Sequence, residues 1–171
     1  MTVVGARTTP EAVHPDRDVG STDYVAAGVM TAPTYLKWAL LYEEPDSRTV
    51  WIAKALPRDW LEVSADQIEV HRATTRYGRV SYTLDAVMHE TNYTVFANVT
   101  LDPRVIKDPP AGGVKLRLRA PLTHAGKLKA VTVGGQQWTA FDPKAETVDF
   151  SLEALTAKTV EAMATIVATF D

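Results

Sequence analysis

The sequence predicts an all-β fold, an antiparallel two-sheet β-sandwich that is jelly-roll-like, with an irregular N-terminal segment and at most one short helix. Three observations carry this. Apolar and polar residues alternate in run after run, as in Tyr93, Val95, Ala97, Val99 and Leu101 with Thr94, Asn98 and Thr100 between them. Period two sends one set toward a core and the other toward water. Turn signals such as Pro45-Asp46-Ser47, Gly112-Gly113 and Gly134-Gly135 recur between these runs, as they do in sandwiches and barrels. Finally, the strand patterns do not alternate with the long crossover helices that a parallel sheet requires.

Taken in order, residues 1–34 lack periodicity and contain Gly5, Pro10, Pro15, Gly20 and Gly28, which predicts a tail or linker. The domain proper is expected over 35–171. Leu36–Tyr42 and Thr49–Ala53 are apolar runs across a Pro-Asp-Ser turn, the pattern of a hairpin. Pro57–Leu61 interrupts the strands and predicts a helical turn. Gln67–Arg72, Val80–Leu84 and Tyr93–Leu101 then alternate, and a loop is expected over Asp108–Gly113. Val114, Leu116, Leu118 and Ala120 alternate with Lys115, Arg117 and Arg119. Leu128–Val133 and Gln137–Phe141 flank Gly134-Gly135, which fits a two-residue hairpin turn. Val148–Leu152 is another strand. Ser151–Met163 is ambiguous and loosely helical, and Ile166–Phe170 closes the chain with one more alternating run.

Composition bounds the function. The chain has 171 residues, 46 % of them apolar, enough for one domain with a core of its own. Lys plus Arg number 18 against 21 Asp plus Glu, a net charge of −3, so no concentrated basic field points to nucleic acid. The absence of cysteine excludes disulfides and thiolate metal sites. No apolar run reaches the length of a membrane-spanning helix, and Met1–Gly20 has no apolar centre like that of a signal peptide. No membrane, metal or cofactor is therefore expected.

Catalytic patterns are sparse. His14, His71, His89 and His124 show no metal-binding spacing, and no nucleophile elbow or phosphate-cradling glycine motif occurs. Glu43 and Glu44 are adjacent, so on a strand they point to opposite faces and cannot flank one glycosidic bond. Asp59, Asp66, Asp85 and Glu90 are unassigned carboxylates. The Lys115, Arg117, Arg119 stripe reads as a solvated outer face that discourages edge pairing, with docking of an acidic partner as the sharper alternative. Trp38 and Trp51 lie in apolar runs and are expected in the core. Trp60 and Trp138 have polar neighbours and suit an interface. The sequons at Asn92 and Asn98 fall inside a strand pattern and read as coincidence.

The run Trp38–Leu61 (WALLYEEPDSRTVWIAKALPRDWL), followed by Gln67–Tyr82 (QIEVHRATTRYGRVSY), resembles the C-terminal β-sandwich of six-hairpin proteins. Those proteins carry an (α/α)6 barrel related to glycoside hydrolases. The matching residues are Trp51, Pro57, Arg58, Trp60, Leu61, Thr75, Tyr77 and Gly78. Lys127–Phe150 (KLKAVTVGGQQWTAFDPKAETVDF) is similar to the closing hairpin of the same domain. The resemblance covers about residues 35 to 170. It implies a non-catalytic accessory module of a glycosidase-like, carbohydrate-active protein, with the catalytic acids in a barrel that this chain lacks. Asp23–Tyr35 would be the linker leaving that barrel. Arg58, Asp59 and Trp60 would dock against the barrel or edge its cleft, and Arg76, Tyr77 and Trp138 complete the candidate binding set. The partners so implied are an upstream catalytic domain and a glycan. A protein-interaction or assembly domain without sugar binding is the alternative, and a small enzyme pairing His71 or His124 with an aspartate is a further rival.

Overall fold

The computed structural model describes residues 26–89, 92–150 and 162–171. The chain divides into two compact units, one ending at Ala39 and the other beginning at Leu40. In the first, helix α1 spans Ala26–Leu40 and contains Pro33. The strand expected over Leu36–Tyr42 is therefore helical up to Leu40 and extended only from Leu41. A short apolar run cannot by itself distinguish strand from helix. Here the alanines and leucines of Ala26–Leu40 supply strong helix formers over fifteen residues. The rest of the expected tail, and the ambiguous stretch 151–161, lie outside the described residues.

The second unit is all-β and sandwich-like, with two sheets sharing one core. The five-stranded sheet has the order β1 (Leu41–Glu44), β2 (Thr49–Ile52), β6 (Val114–Arg117), β10 (Thr147–Phe150), β9 (Phe141–Asp142). The six-stranded sheet has the order β3 (Ile68–Thr75), β4 (Gly78–His89), β5 (Asn92–Leu101), β11 (Ala162–Phe170), β7 (Leu128–Val133), β8 (Gln136–Trp138). All neighbours are antiparallel except β2 and β6, which run parallel with Val50 opposite Val114. A parallel pair needs a long connection; here it is the whole of β3–β5.

The alternation read from the sequence sets the core. Val80, Tyr82, Leu84, Val95, Ala97, Val99 and Leu101 are buried from one sheet, and Val50, Ile52, Val114, Leu116, Val148 and Phe150 from the other. The buried tyrosines bring polar tips that must be satisfied. The Tyr82 hydroxyl donates to the Leu40 carbonyl at 2.9 Å, and the Tyr93 hydroxyl donates to the Leu61 carbonyl.

Turns follow the expected chemistry. Gly134 and Gly135 have φ of 58° and 79° between β7 and β8, the left-handed pair of a two-residue hairpin turn. The helical turn at Pro57 is a 3₁₀ helix over Arg58–Leu61. Asp102 caps a short helix, α2 (Pro103–Lys107), by accepting from the Arg104 N–H at 2.9 Å. The single returning strand expected over Gln137–Phe141 is instead split. β8 belongs to the six-stranded sheet and β9 to the five-stranded one, so the chain changes layer at Thr139-Ala140, a corner of the kind sandwiches make.

Gly112 is fixed by close approach. A Cβ there would lie 2.2 Å from Thr49 Oγ1 and 2.4 Å from the Ser47 carbonyl oxygen, and the Gly112 N–H donates to the Arg48 carbonyl at 3.2 Å. Gly112→Ala must push the β1–β2 turn away from this loop. Its expected cost is about 1–3 kcal/mol of stability, the usual range for an overpacked site, read as a lower urea midpoint with an unchanged slope.

Candidate functional site

One end of the β unit carries an open concavity of about 580 Å³. Three separated segments line it: Glu62, Val63 and Ser64 after the 3₁₀ turn, Met88 and Tyr93 where β4 ends and β5 begins, and Pro121, Thr123 and His124 between β6 and β7. Tyr93 is the floor. Its ring stacks on His124 at 4.9 Å between centroids and 13° between planes, and it meets Phe170 edge-on. Burial, with the negative charges of Glu146 and Glu62 behind it, pushes the Tyr93 phenol above its ordinary range, so it stays a neutral donor at physiological pH. His124 Nδ1 lies 2.8 Å from the Asp171 carbonyl oxygen. A carbonyl only accepts, so Nδ1 carries the hydrogen and Nε2 keeps its lone pair in the neutral ring.

The rim is apolar and exposed. Val63 and Met88 in its lining are 48 % and 47 % accessible, and Trp60 and Leu122 in the adjoining stretches of chain are 41 % and 82 % accessible. The walls add a carboxylate from Glu62, hydroxyls from Ser64 and Thr123, and the His124 imidazole. This mixture suits holding a ligand or a partner by apolar contact with a few oriented hydrogen bonds.

The candidate residues from the sequence fall into three places. Arg58, Asp59 and Trp60 stand on the 3₁₀ turn that leads into the concavity, with Asp59 and Trp60 exposed. Arg58 turns inward. Its guanidinium meets the Glu146 carboxylate at 2.8 and 3.0 Å and donates to the Ala120 carbonyl. Arg76 and Tyr77 form the tip of the β3–β4 hairpin, where the Arg76 backbone N–H and Nε donate to Glu43 at 3.1 and 2.9 Å and Tyr77 packs on the core. Trp138 stands at the layer change, its Nε1 donating to the Asp149 carbonyl at 2.9 Å. Among the described residues no hydrogen bond, ion pair or ring contact joins these three groups. Of the concavity residues the sequence offers only His124 as a candidate; three distant segments bring the others together, and Tyr93 carries the alternating signature of a core residue.

Two expectations about aromatic and basic residues are corrected. Trp51 is half-buried, opposite in facing to the core residues Val50 and Ile52. Lys54 and Lys115 lie 4.9 and 5.5 Å from its ring centroid. Trp38 is 46 % accessible on α1. The apolar runs around both are real, but the alternation within β2 and the helix at α1 decide their facing. Arg117 and Arg119 are not a freely solvated stripe on a sheet edge. β6 is an interior strand, and both guanidiniums donate to backbone carbonyls. His71 meets Glu69 at 2.7 Å, with both side chains largely exposed. Among the described residues no group of three or more His, Asp or Glu is placed to hold a metal ion, and no helix is long and apolar enough to cross a membrane. No protein-family model matches the chain, and neither a curated protein nor a solved structure matches it.

The ion pairs have separate consequences. Glu146 is fully buried and its side chain is met by Arg58 and by the Gly126 N–H at 3.1 Å. Glu146→Ala leaves a mostly buried guanidinium without its counter-charge, and the expected loss is about 3–5 kcal/mol. Adding Arg58→Ala should cost less than the sum of the single losses in urea unfolding, because the pair acts as one unit. Glu44 accepts from Ser47 Oγ at 2.7 Å, Lys54 Nζ at 3.0 Å and Trp51 Nε1 at 3.2 Å. These donors, the Ser47 hydroxyl foremost, hold its carboxyl at about 2 against an ordinary 4.5. Because the folded value is the lower one, the stabilisation is complete above pH 4.5 and is lost as pH falls toward 2. A carboxyl-carbon NMR titration should show Glu44 still ionised at pH 3.5, and Ser47→Ala should move its midpoint upward.

Proposed function

We propose that this chain is a non-catalytic accessory β-sandwich of a glycosidase-like, carbohydrate-active protein. It docks against an (α/α)6 catalytic domain and contacts glycan at the same end. The observation that carries this reading is the open concavity that follows the 3₁₀ turn, where exposed Val63 and Met88 join polar walls and exposed Trp60 and Leu122 stand in the adjoining stretches of chain. Exposed apolar patches of this kind mark interaction surfaces, and an exposed tryptophan beside polar groups is a common energetic anchor. The resemblance of Trp38–Leu61 and Lys127–Phe150 to six-hairpin sandwiches supplies the identity of the partner.

The non-catalytic part rests on what the carboxylates already do. Glu146 is tied to Arg58, Glu43 to Arg76 and Glu44 to Lys54, while Asp102 caps α2 and Asp142 accepts from the N–H groups of Lys144 and Ala145. Each of these five carboxylates is engaged in holding the chain, and among the described residues Glu62 is the one carboxylate in the lining of the concavity.

The test pairs a glycan array with calorimetry against a separately prepared (α/α)6 barrel, using the full chain. Trp60→Ala is expected to leave the fold intact and to weaken docking by roughly tenfold or more, the scale of an interface anchor. Docking without any sugar affinity would favour the assembly-domain alternative. Binding to neither, or docking indifferent to Trp60→Ala, would overturn the proposal.

A further inference from the structure

The outer face of the six-stranded sheet carries a second constellation, which begins at a fault in β3. The pairing of β3 with β4 shifts between Val70 and Ala73, so that His71 and Arg72 both stand opposite Ser81. Such a bulge interrupts the alternation of facing and re-aims a side chain. Val70 and Ala73 pack against the core, while His71 and Arg72 are both exposed. Arg72 has a φ of 48°, a left-handed conformation that side-chain-bearing residues seldom adopt. Its N–H donates to Ser81 Oγ at 2.9 Å. Backbone conformations of this kind gather at binding sites.

The bulge brings Arg72 to the face that Arg79 already occupies. The two line one small hollow, about 30 Å³, together with Ser81, Thr100 and Asp102. Ser81 and Thr100 face each other across β4 and β5. Elsewhere Arg58, Arg76 and Arg104 are ion-paired, and Arg117 and Arg119 are held by backbone carbonyls. Among the described residues the Arg72 and Arg79 guanidiniums have neither a hydrogen bond nor an ion pair, so their donors are unspent. Asp102 does not neutralise them. Its carboxylate accepts from the Arg104 N–H, Nε and Nη2 at 2.9, 3.2 and 3.3 Å. Two uncompensated cations therefore share one hollow in a chain whose net charge is −3. Two guanidiniums and two hydroxyls form a donor set for the several oxygens of a tetrahedral oxyanion. The hollow is too small for a ring, so what enters it is a head group.

A larger hollow of about 220 Å³ adjoins it and shares Ser81 and Thr100. Thr83 and Asn98, opposite one another in the sheet, extend the lining, and Glu69 and His71 close the β3 side. Asn98 Nδ2 donates to Thr83 Oγ1 at 3.4 Å and Asn98 Oδ1 accepts from Thr165 Oγ1 at 2.9 Å. Hydroxyls and amides both donate and accept, which matches a carrier rich in hydroxyl groups.

We infer that Arg72 and Arg79 bind the tetrahedral oxyanion of a phosphate or sulfate ester, whose hydroxyl-rich carrier lies along Ser81, Thr83, Asn98 and Thr100. The anion rests on the two unspent guanidiniums, and the carrier on the residues common to the two hollows. Neither depends on the concavity or on the accessory-module reading.

The full chain is titrated with glucose 6-phosphate, glucose 6-sulfate, glucose and inorganic phosphate, each followed by calorimetry and by ¹H–¹⁵N spectra. At least one ester is expected to bind about tenfold or more tightly than glucose, with an affinity that falls as salt rises. It should also move the Nε–Hε resonances of Arg72 and Arg79. At neutral pH the phosphate ester carries more charge than the sulfate ester, and the order of the two identifies the head group. Arg72→Gly removes the guanidinium and puts at φ 48° a residue that adopts it without strain. It should abolish most of the preference for the ester, as should Arg79→Gln, while Arg48→Gln, in the β1–β2 turn, changes nothing. The resonance shifts in the unaltered protein decide the matter if a variant fails to fold. Esters no tighter than glucose, or ester binding indifferent to both variants, would overturn the site. Inorganic phosphate as tight as either ester would overturn the role of the carrier, and with it the proposal. A phosphoserine peptide that binds where the sugar esters do not would overturn it in favour of a phosphorylated protein partner. In each case the docking of Trp60 stands or falls by its own test.

Discussion

The ion pair between Arg58 and Glu146 is the constraint on which the functional end of the molecule depends. It joins points that are far apart in the chain: the 3₁₀ turn after β2, the end of the β6 line at Ala120, the Gly126 loop and the β9–β10 turn. Glu146 itself sits at φ 56°, a conformation that side-chain-bearing residues seldom adopt, and its own carbonyl accepts from the Leu118 N–H at 2.8 Å. The Asx turn at Asp142, which takes the Lys144 and Ala145 N–H groups, sets up that conformation. Such a pair contributes little net stability, because desolvating both charges offsets most of their attraction. Its contribution is positional. The Leu61 carbonyl accepts from the Tyr93 hydroxyl, and Pro121 lines the concavity with Tyr93.

The concavity and the outer face of the small sheet differ in how they are built. The concavity is an assembly of loops around a rigid floor, and its rim is apolar. The outer face of the small sheet is made of side chains standing on regular strands, and its character is electrostatic. Carbonyl groups of the post-β2 segment hold the guanidiniums there, so the same stretch, Ala53 to Leu61, braces both surfaces. A change in its path would be felt at both.

Much of the fold was legible because period-two alternation is a direct consequence of pleating. β4, β5 and β6 bury the residues that their alternation marks, and Gly134-Gly135 makes the turn its chemistry requires. The failures share a physical cause. At Leu36–Leu40 an apolar run too short to reveal its period was read by its neighbours, and helix propensity over a longer window decided otherwise. At Thr139-Ala140 the strand changes layer, an event with no local sequence mark. The site was less legible still. Trp60 was identified by its polar surroundings. Arg58 was read as a surface anchor, although its partner lies 88 positions away at Glu146, beyond the reach of any local pattern. Glu62, Ser64, Thr123 and His124 meet only because three loops converge.

The parallel pairing of β2 with β6 bears on how the molecule comes together. Val50 and Val114 are neighbours across some sixty intervening residues, and those residues contain the β3–β4–β5 meander. The meander can zip up from near-neighbour hairpins, each closing a short loop. The central contact of the small sheet instead closes a long loop, with its attendant entropy. Loop-closure entropy therefore favours the β3–β4–β5 meander ahead of the β2–β6 contact, and the pairing of β5 with β11 in the large sheet waits on a closure of similar length.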